Sequence, residues 1–264
     1  MRPETEAAIE MVRRGLDLAE AHLGSRDVTA KDGRDIVTAA DTAVEDLIRT
    51  NLHQAFAHPV VGEERGGEPP ADGAPYWLVD PICGTRNFAS GYRLYCINLA
   101  LVEGGRVAVA AVGDPSRDEV LYAERGQGVW SLRNGATERL TASGDSRTLV
   151  VEEGKSKGKA RDHAARFMAE VIRADRWDIR SLGTTLALPY LAAGRISAYV
   201  VFYVSAVHCA AGSLLVEEAG GGLWDLTGAP WTLQSDTLLF TATTDLRSDL
   251  LDIVTSTIPR QTEH

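Results

Sequence analysis

No apolar run in this 264-residue chain approaches the roughly 20 residues that a membrane-spanning helix needs. The opening Met1-Arg2-Pro3-Glu4-Thr5-Glu6 also lacks the apolar centre of a secretory leader. Both absences lead to the expectation of a cytoplasmic protein. Positive charge is in short supply: 27 Lys and Arg stand against 37 Asp and Glu, a formal charge of −10. Such a balance repels phosphate backbones and anionic lipid, so neither nucleic acid nor membrane is an expected partner, and a small-molecule or carrier-bound substrate is. Cysteine is scarce as well. The three, Cys83, Cys96 and Cys209, include no close pair, which speaks against a disulfide framework or a zinc knuckle. Internal repeats, low-complexity tracts and long linkers are missing, so the parts of the chain are expected to pack as one rigid body.

What is present suffices for a sizeable core, with 44% hydrophobic and 24% charged residues. Residues 4–22 place Ala7, Met11, Leu16 and Ala19 near one helical face, and 42–56 repeat the pattern with Val44, Leu47, Ile48, Leu52 and Phe56. Thr42-Ala43-Val44-Glu45 reads as a capping box for the second helix. The period then shortens: Tyr95 to Glu103, Arg106 to Gly113, Glu119 to Glu124 and Gly128 to Leu132 are β-rich runs split by turn signals such as Gly104-Gly105 and Asn134-Gly135. An antiparallel meander is expected there. Beyond residue 146, strands and helices alternate, which predicts a layered α/β unit. The expected organisation is an α+β unit over 1–145, an α/β unit over 146–264 and an active-site cleft between them.

Four segments carry the chemistry. They are Asp35-Ile36-Val37-Thr38-Ala39-Ala40-Asp41, Val61-Gly62-Glu63-Glu64, Asp80-Pro81-Ile82-Cys83-Gly84-Thr85-Arg86-Asn87-Phe88, and Val207-His208-Cys209-Ala210-Ala211-Gly212 followed by Glu217-Glu218-Ala219-Gly220-Gly221. In this order they resemble the motifs D-x-V-T-x-x-D, G-E-E, D-P-[IL]-D-G-T-x-N-F and W-D-x-A-A-G…E-A-G-G of the inositol monophosphatase family, magnesium-dependent and lithium-sensitive phosphatases. The resemblance implies an α/β layered sandwich of alternating α-β-α-β-α layers, and a homodimer. It also implies a site in which Glu63, Asp80 and the Ile82 carbonyl hold a first Mg²⁺, Thr85 with Asp41 and Glu63 orients water, and the Gly84 and Thr85 amides meet phosphate. Hard cations prefer such oxygen ligands and lower the pKa of the attacking water.

Two positions depart from that pattern. Where the family has the further aspartates of its second ion, this chain has Cys83 and His208. Magnesium takes neither thiolate nor imidazole readily. The family's substrate-contacting glutamate corresponds to Val201, which removes an acceptor for inositol hydroxyls. The leading expectation is therefore a protein that has left two-magnesium chemistry and uses Cys83 as nucleophile, His208 as base and Asp80 as orienter. It would act covalently on an acyl or thioester group, by transfer, hydrolysis or cyclisation in specialised metabolism, with no required cofactor. One alternative keeps phosphate monoester hydrolysis at a remodelled site with one Mg²⁺ or Zn²⁺, with Asp80, Cys83 and His208 as a three-ligand zinc set. Another is a small-molecule binder without catalysis.

Overall fold

The computed structural model describes residues 1–25, 27–30, 36–154 and 158–257. The chain opens with helix α1 (Pro3–Glu20), a short antiparallel pair β1 (Val28–Ala30) and β2 (Ile36–Thr38), and helix α2 (Ala39–Ala55). A seven-stranded sheet follows in sequential spatial order. Its strands are β3 (Val60–Gly62), β4 (Tyr76–Cys83), β5 (Cys96–Glu103), β6 (Arg106–Asp114), β7 (Glu119–Glu124), β8 (Val129–Arg133) and β9 (Ala136–Arg139), with the short helix α3 (Thr85–Ala89) between β4 and β5. β3 and β4 run parallel, and the remaining neighbours are antiparallel. The expected meander is the middle of this sheet.

The rest of the chain builds a second sheet from β10 (Thr148–Glu152), β11 (Asp178–Arg180), β12 (Ala198–Val201), β13 (Gly222–Trp224) and β14 (Leu238–Thr241), in the order β11-β10-β12-β14-β13. Its helices are α4 (Lys159–Ala174), α5 (Ala187–Ala192), α6 (Ala206–Glu218) and α7 (Thr244–Thr257).

Alternation along the strands sets the layers. Ile97, Leu99 and Leu101 on β5, with Val109 and Ala111 on β6, share a core with Ala8, Val12, Val44 and Ile48 of α1 and α2. The intervening residues Cys96, Ala100, Val102, Ala110 and Val112 join the core made with α5, α6 and the second sheet. Helix α6 explains itself by sequence: Cys209 to Val216 are buried without interruption, the composition of a helix covered on all sides. With α4 and α7 packed together beyond the second sheet, the order is α-β-α-β-α, the layered sandwich expected. Among the described residues, no helix is long and apolar enough to cross a membrane.

One local expectation needs correction. The capping box of α2 is Thr38 with Asp41, not Thr42 with Glu45: the Thr38 hydroxyl receives the Asp41 N–H, and the Asp41 carboxylate receives the Thr38 N–H at 2.8 Å. A cap must lie outside helical dihedrals, and Thr38 is extended at the end of β2 whereas Thr42 is already within the helix. Glu45 instead accepts backbone N–H groups from the Glu64–Arg65 turn.

Candidate active site

The site forms where β4 ends. In a regular strand, residues three apart face opposite sides, so Asp80 and Cys83 should diverge. They do not, because β4 spends three residues between the pairs Asp80↔Asn98 and Cys83↔Cys96 where β5 spends two. Pro81 sits in this irregularity, where the N–H that proline lacks is not required by the ladder. The carboxylate and the thiol are thereby turned to one side, toward α6.

Helix α6 supplies the third member. His208 is in its first turn, and its Nδ1 lies 2.7 Å from Asp80 Oδ2 and 3.8 Å from Glu63 Oε2. One ligand atom each from Asp80, Cys83 and His208 falls within 4.8 Å of the others. The Asp80 side chain is 0% exposed, and its Oδ1 has no hydrogen-bond partner among the described residues. Burial alone would pull the His208 imidazole down, but the Asp80 charge and hydrogen bond, aided by Cys83 and Glu63, hold its proton affinity well above the ordinary value.

Cys83 is buried, and two hydrogen bonds reach its sulfur from one residue, Thr185 N–H at 3.3 Å and Thr185 Oγ1 at 3.0 Å. Thr184 Oγ1 donates to the Cys83 carbonyl at 2.7 Å. Hydrogen bonding with Cys96, burial and the Asp80 charge push the Cys83 thiol well above its usual range, with His208 acting in the opposite sense. A nucleophile needs the reverse.

The oxygen side of the site is held by the N-terminal half. Thr85 Oγ1 lies 3.2 Å from Asp41 Oδ1 and 3.1 Å from the Ile82 carbonyl, so water, Thr85 and Asp41 can form a relay. Gly84 precedes α3 with φ 106°, a backbone open to glycine, and a Cβ there would meet the Thr184 side chain at 3.0 Å. Val201, by contrast, is 2% exposed within the second sheet, with its side chain in the core. Asp35 lies outside the described residues.

Asp41 is wholly buried, and burial raises its carboxyl to about 6 against the lowering effect of the Thr38 and Thr85 hydrogen bonds. A carboxyl with a raised folded-state pKa adds stability that is complete below the unfolded value of 3.8 and is lost as pH rises through about 6. Wild type is therefore expected to lose roughly 3 kcal/mol relative to Asp41→Asn between about pH 4 and pH 7. Parallel urea titrations across that range check the slope.

Several supporting residues carry no motif signal. Glu45, 0% exposed, accepts Glu64 N–H at 2.7 Å, Arg65 N–H at 3.0 Å and Arg49 Nε at 2.8 Å, and so fixes the turn bearing Glu63. Gly62 leaves room for it, since a Cβ would stand 2.1 Å from Glu45 Oε1. Glu152 gathers Ser181 Oγ, Leu182 N–H and Gly183 N–H at 2.6–2.9 Å, tethering the loop that delivers Thr184 and Thr185. Ser181-Leu182-Gly183 opens that loop, and the two threonines follow it directly.

The α-β-α-β-α sandwich, with Asp80, Cys83 and His208 gathered where β4 ends, places the chain in a class of layered α/β proteins. Residues 1–258 match the Inositol monophosphatase family, and the chain belongs to that family. It is 33% identical over 206 residues to an inositol-1-monophosphatase of Mesorhizobium japonicum, covering 76% of each chain. It is 32% identical over 236 residues to a fructose-1,6-bisphosphatase/inositol-1-monophosphatase of Thermotoga maritima, covering 88% of this chain and 89% of that one. A Nus factor SuhB of Pseudomonas aeruginosa is 32% identical over 239 residues, covering 87% and 88%. Among solved structures, a Thermotoga maritima IMPase superposes with TM-score 0.85 at 28% identity, covering 97% of this chain and 98% of that one.

These findings correct two expectations. Relatives named as phosphatases overturn the covalent Cys83–His208 reading, and the raised, buried thiol gives the physical reason. Membership of a family of magnesium-dependent phosphatases likewise overturns the expectation that no cofactor is required.

Proposed function

We propose that the protein is a metal-dependent phosphate monoester hydrolase with a remodelled metal site. The observation that carries this reading is the Asp80 carboxylate, fully buried with Oδ1 unpartnered among the described residues, its Oδ2 meeting a His208 nitrogen that lies 3.8 Å from Glu63. A buried anionic oxygen without a hydrogen bond is costly, and a cation removes that cost.

The fit differs between the two family positions. Glu63, Asp80 and the Ile82 carbonyl are hard oxygen donors and suit Mg²⁺. Cys83 and His208 do not suit a second one, so no step is assigned to a second magnesium. A divalent ion on the oxygen set would polarise the phosphoryl group and acidify a bound water. The chain's own part is to hold that water, with Thr85 Oγ1 passing its proton toward Asp41 and accepting from the water, while the Gly84 and Thr85 amides receive phosphate oxygens.

The test is inorganic phosphate release from a panel containing inositol phosphate, simpler alkyl and sugar monoesters, a phosphodiester and an acyl thioester. Turnover of monoesters alone is expected. Cleavage of the thioester with no phosphate released from any monoester would overturn the reading.

A further inference from the structure

We infer that Asp80, Cys83 and His208 bind a single zinc ion, at the position where the family pattern would place a second magnesium. Three facts support it independently of the mechanism, although the ion's part in hydrolysis rests on the function proposed above.

The first is the donor set. A carboxylate, a thiolate and an imidazole converging from β4 and α6 are borderline to soft ligands, typical of zinc and foreign to magnesium. Their ligand atoms lie within 4.8 Å of one another, and tetrahedral zinc with bonds of roughly 2.0–2.3 Å spaces its ligands about 3.3–3.6 Å apart. A small contraction around the ion closes the set. The 2.7 Å contact between His208 Nδ1 and Asp80 Oδ2 opens by about half an ångström when an ion replaces the bridging proton.

The second is the orphaned Asp80 Oδ1, buried and without a partner among the described residues. This leaves the carboxylate one bond short of satisfaction, and a zinc ion taken on Oδ2 beside a divalent ion on Oδ1 satisfies both oxygens.

The third is the sulfur's support. Thr185 aims both its N–H and its hydroxyl at Cys83 Sγ, fixing the rotamer and stabilising negative charge on sulfur, the arrangement that tunes a thiolate ligand. The neighbouring Cys96 thiol is engaged differently, 3.6 Å from the hydroxyls of Thr184 and Thr185, and stays outside the trio. Three protein ligands leave one position open, as in catalytic rather than structural zinc sites.

The test uses the full chain, equilibrated with buffered zinc and analysed for metal per polypeptide, with circular dichroism to confirm folding of each variant. One tightly held zinc is expected in wild type and in Cys96→Ser. Cys83→Ser and His208→Gln should each weaken binding by more than about a hundredfold, and Thr185→Val by roughly tenfold to a hundredfold. Cobalt-loaded wild type should show thiolate-to-metal absorption that Cys83→Ser lacks. Absence of retained zinc, or equal retention in folded Cys83→Ser, would overturn the inference. Stoichiometric zinc without phosphate release from any monoester would instead leave the zinc site standing and remove the hydrolase function. Phosphate release with magnesium and no retained zinc would do the reverse.

Discussion

Asp80→Asn is expected to cut phosphate release by at least about a hundredfold while leaving thermal stability close to wild type. The activity loss follows from the role proposed for Asp80 as an oxygen donor to the metal and from its contact with His208. A bound cation contributes several kcal/mol of transition-state stabilisation, and each ~1.4 kcal/mol is a decade of rate. The small stability change follows from the same burial. A carboxylate that is 0% exposed with one oxygen unpartnered is an expensive group in the metal-free fold, and an amide of the same shape avoids that cost while keeping a hydrogen bond to a neutral imidazole. Loss of turnover with retained melting temperature is the signature of a residue kept for chemistry. Steady-state phosphate release and a thermal melt on the same preparation measure both halves.

Glu45→Ala is expected to act in the opposite way, lowering stability by roughly 3–5 kcal/mol and reducing activity only as a consequence. Glu45 lies in α2 and meets no reacting group. Its buried carboxylate instead accepts two backbone N–H groups from the Glu64–Arg65 turn and the Arg49 guanidinium. Truncation leaves both amides without an acceptor and strips Arg49 of its charged partner, while Arg49 keeps the Val60 and Gly66 carbonyls. The turn then loses the anchor that sets Glu63. Glu45→Gln retains one acceptor oxygen and is expected to cost about half as much. Urea unfolding of the three proteins, with the m-value as a check on two-state behaviour, gives the comparison.

Asp80, Thr85 and Asp41 were legible as motif members, and the long strands and helices by their periodicity. The common face of Asp80 and Cys83 was not, because strand periodicity separates them and only the irregularity at Pro81 reunites them. The contact of His208 with Asp80, 128 residues apart, was legible only through resemblance. That of Thr185 with Cys83, 102 residues apart, had no local signal. Glu45 reads as a cap partner because Thr42-Ala43-Val44-Glu45 and Thr38-Ala39-Ala40-Asp41 carry the same spacing, and backbone geometry chooses the earlier one. Residue type, with the family positions the two occupy, makes a nucleophile and its base the expectation for the pair at 83 and 208. The environment reverses that reading, with a thiol pushed up by Cys96 and burial, and an imidazole committed to a carboxylate.

The most direct test of the account is metal dependence of phosphate release. Protein stripped by a chelator and freed of it by gel filtration is expected to release no phosphate from a monoester it otherwise hydrolyses, and to recover when divalent cations are returned. Undiminished hydrolysis by the metal-free protein would contradict the account.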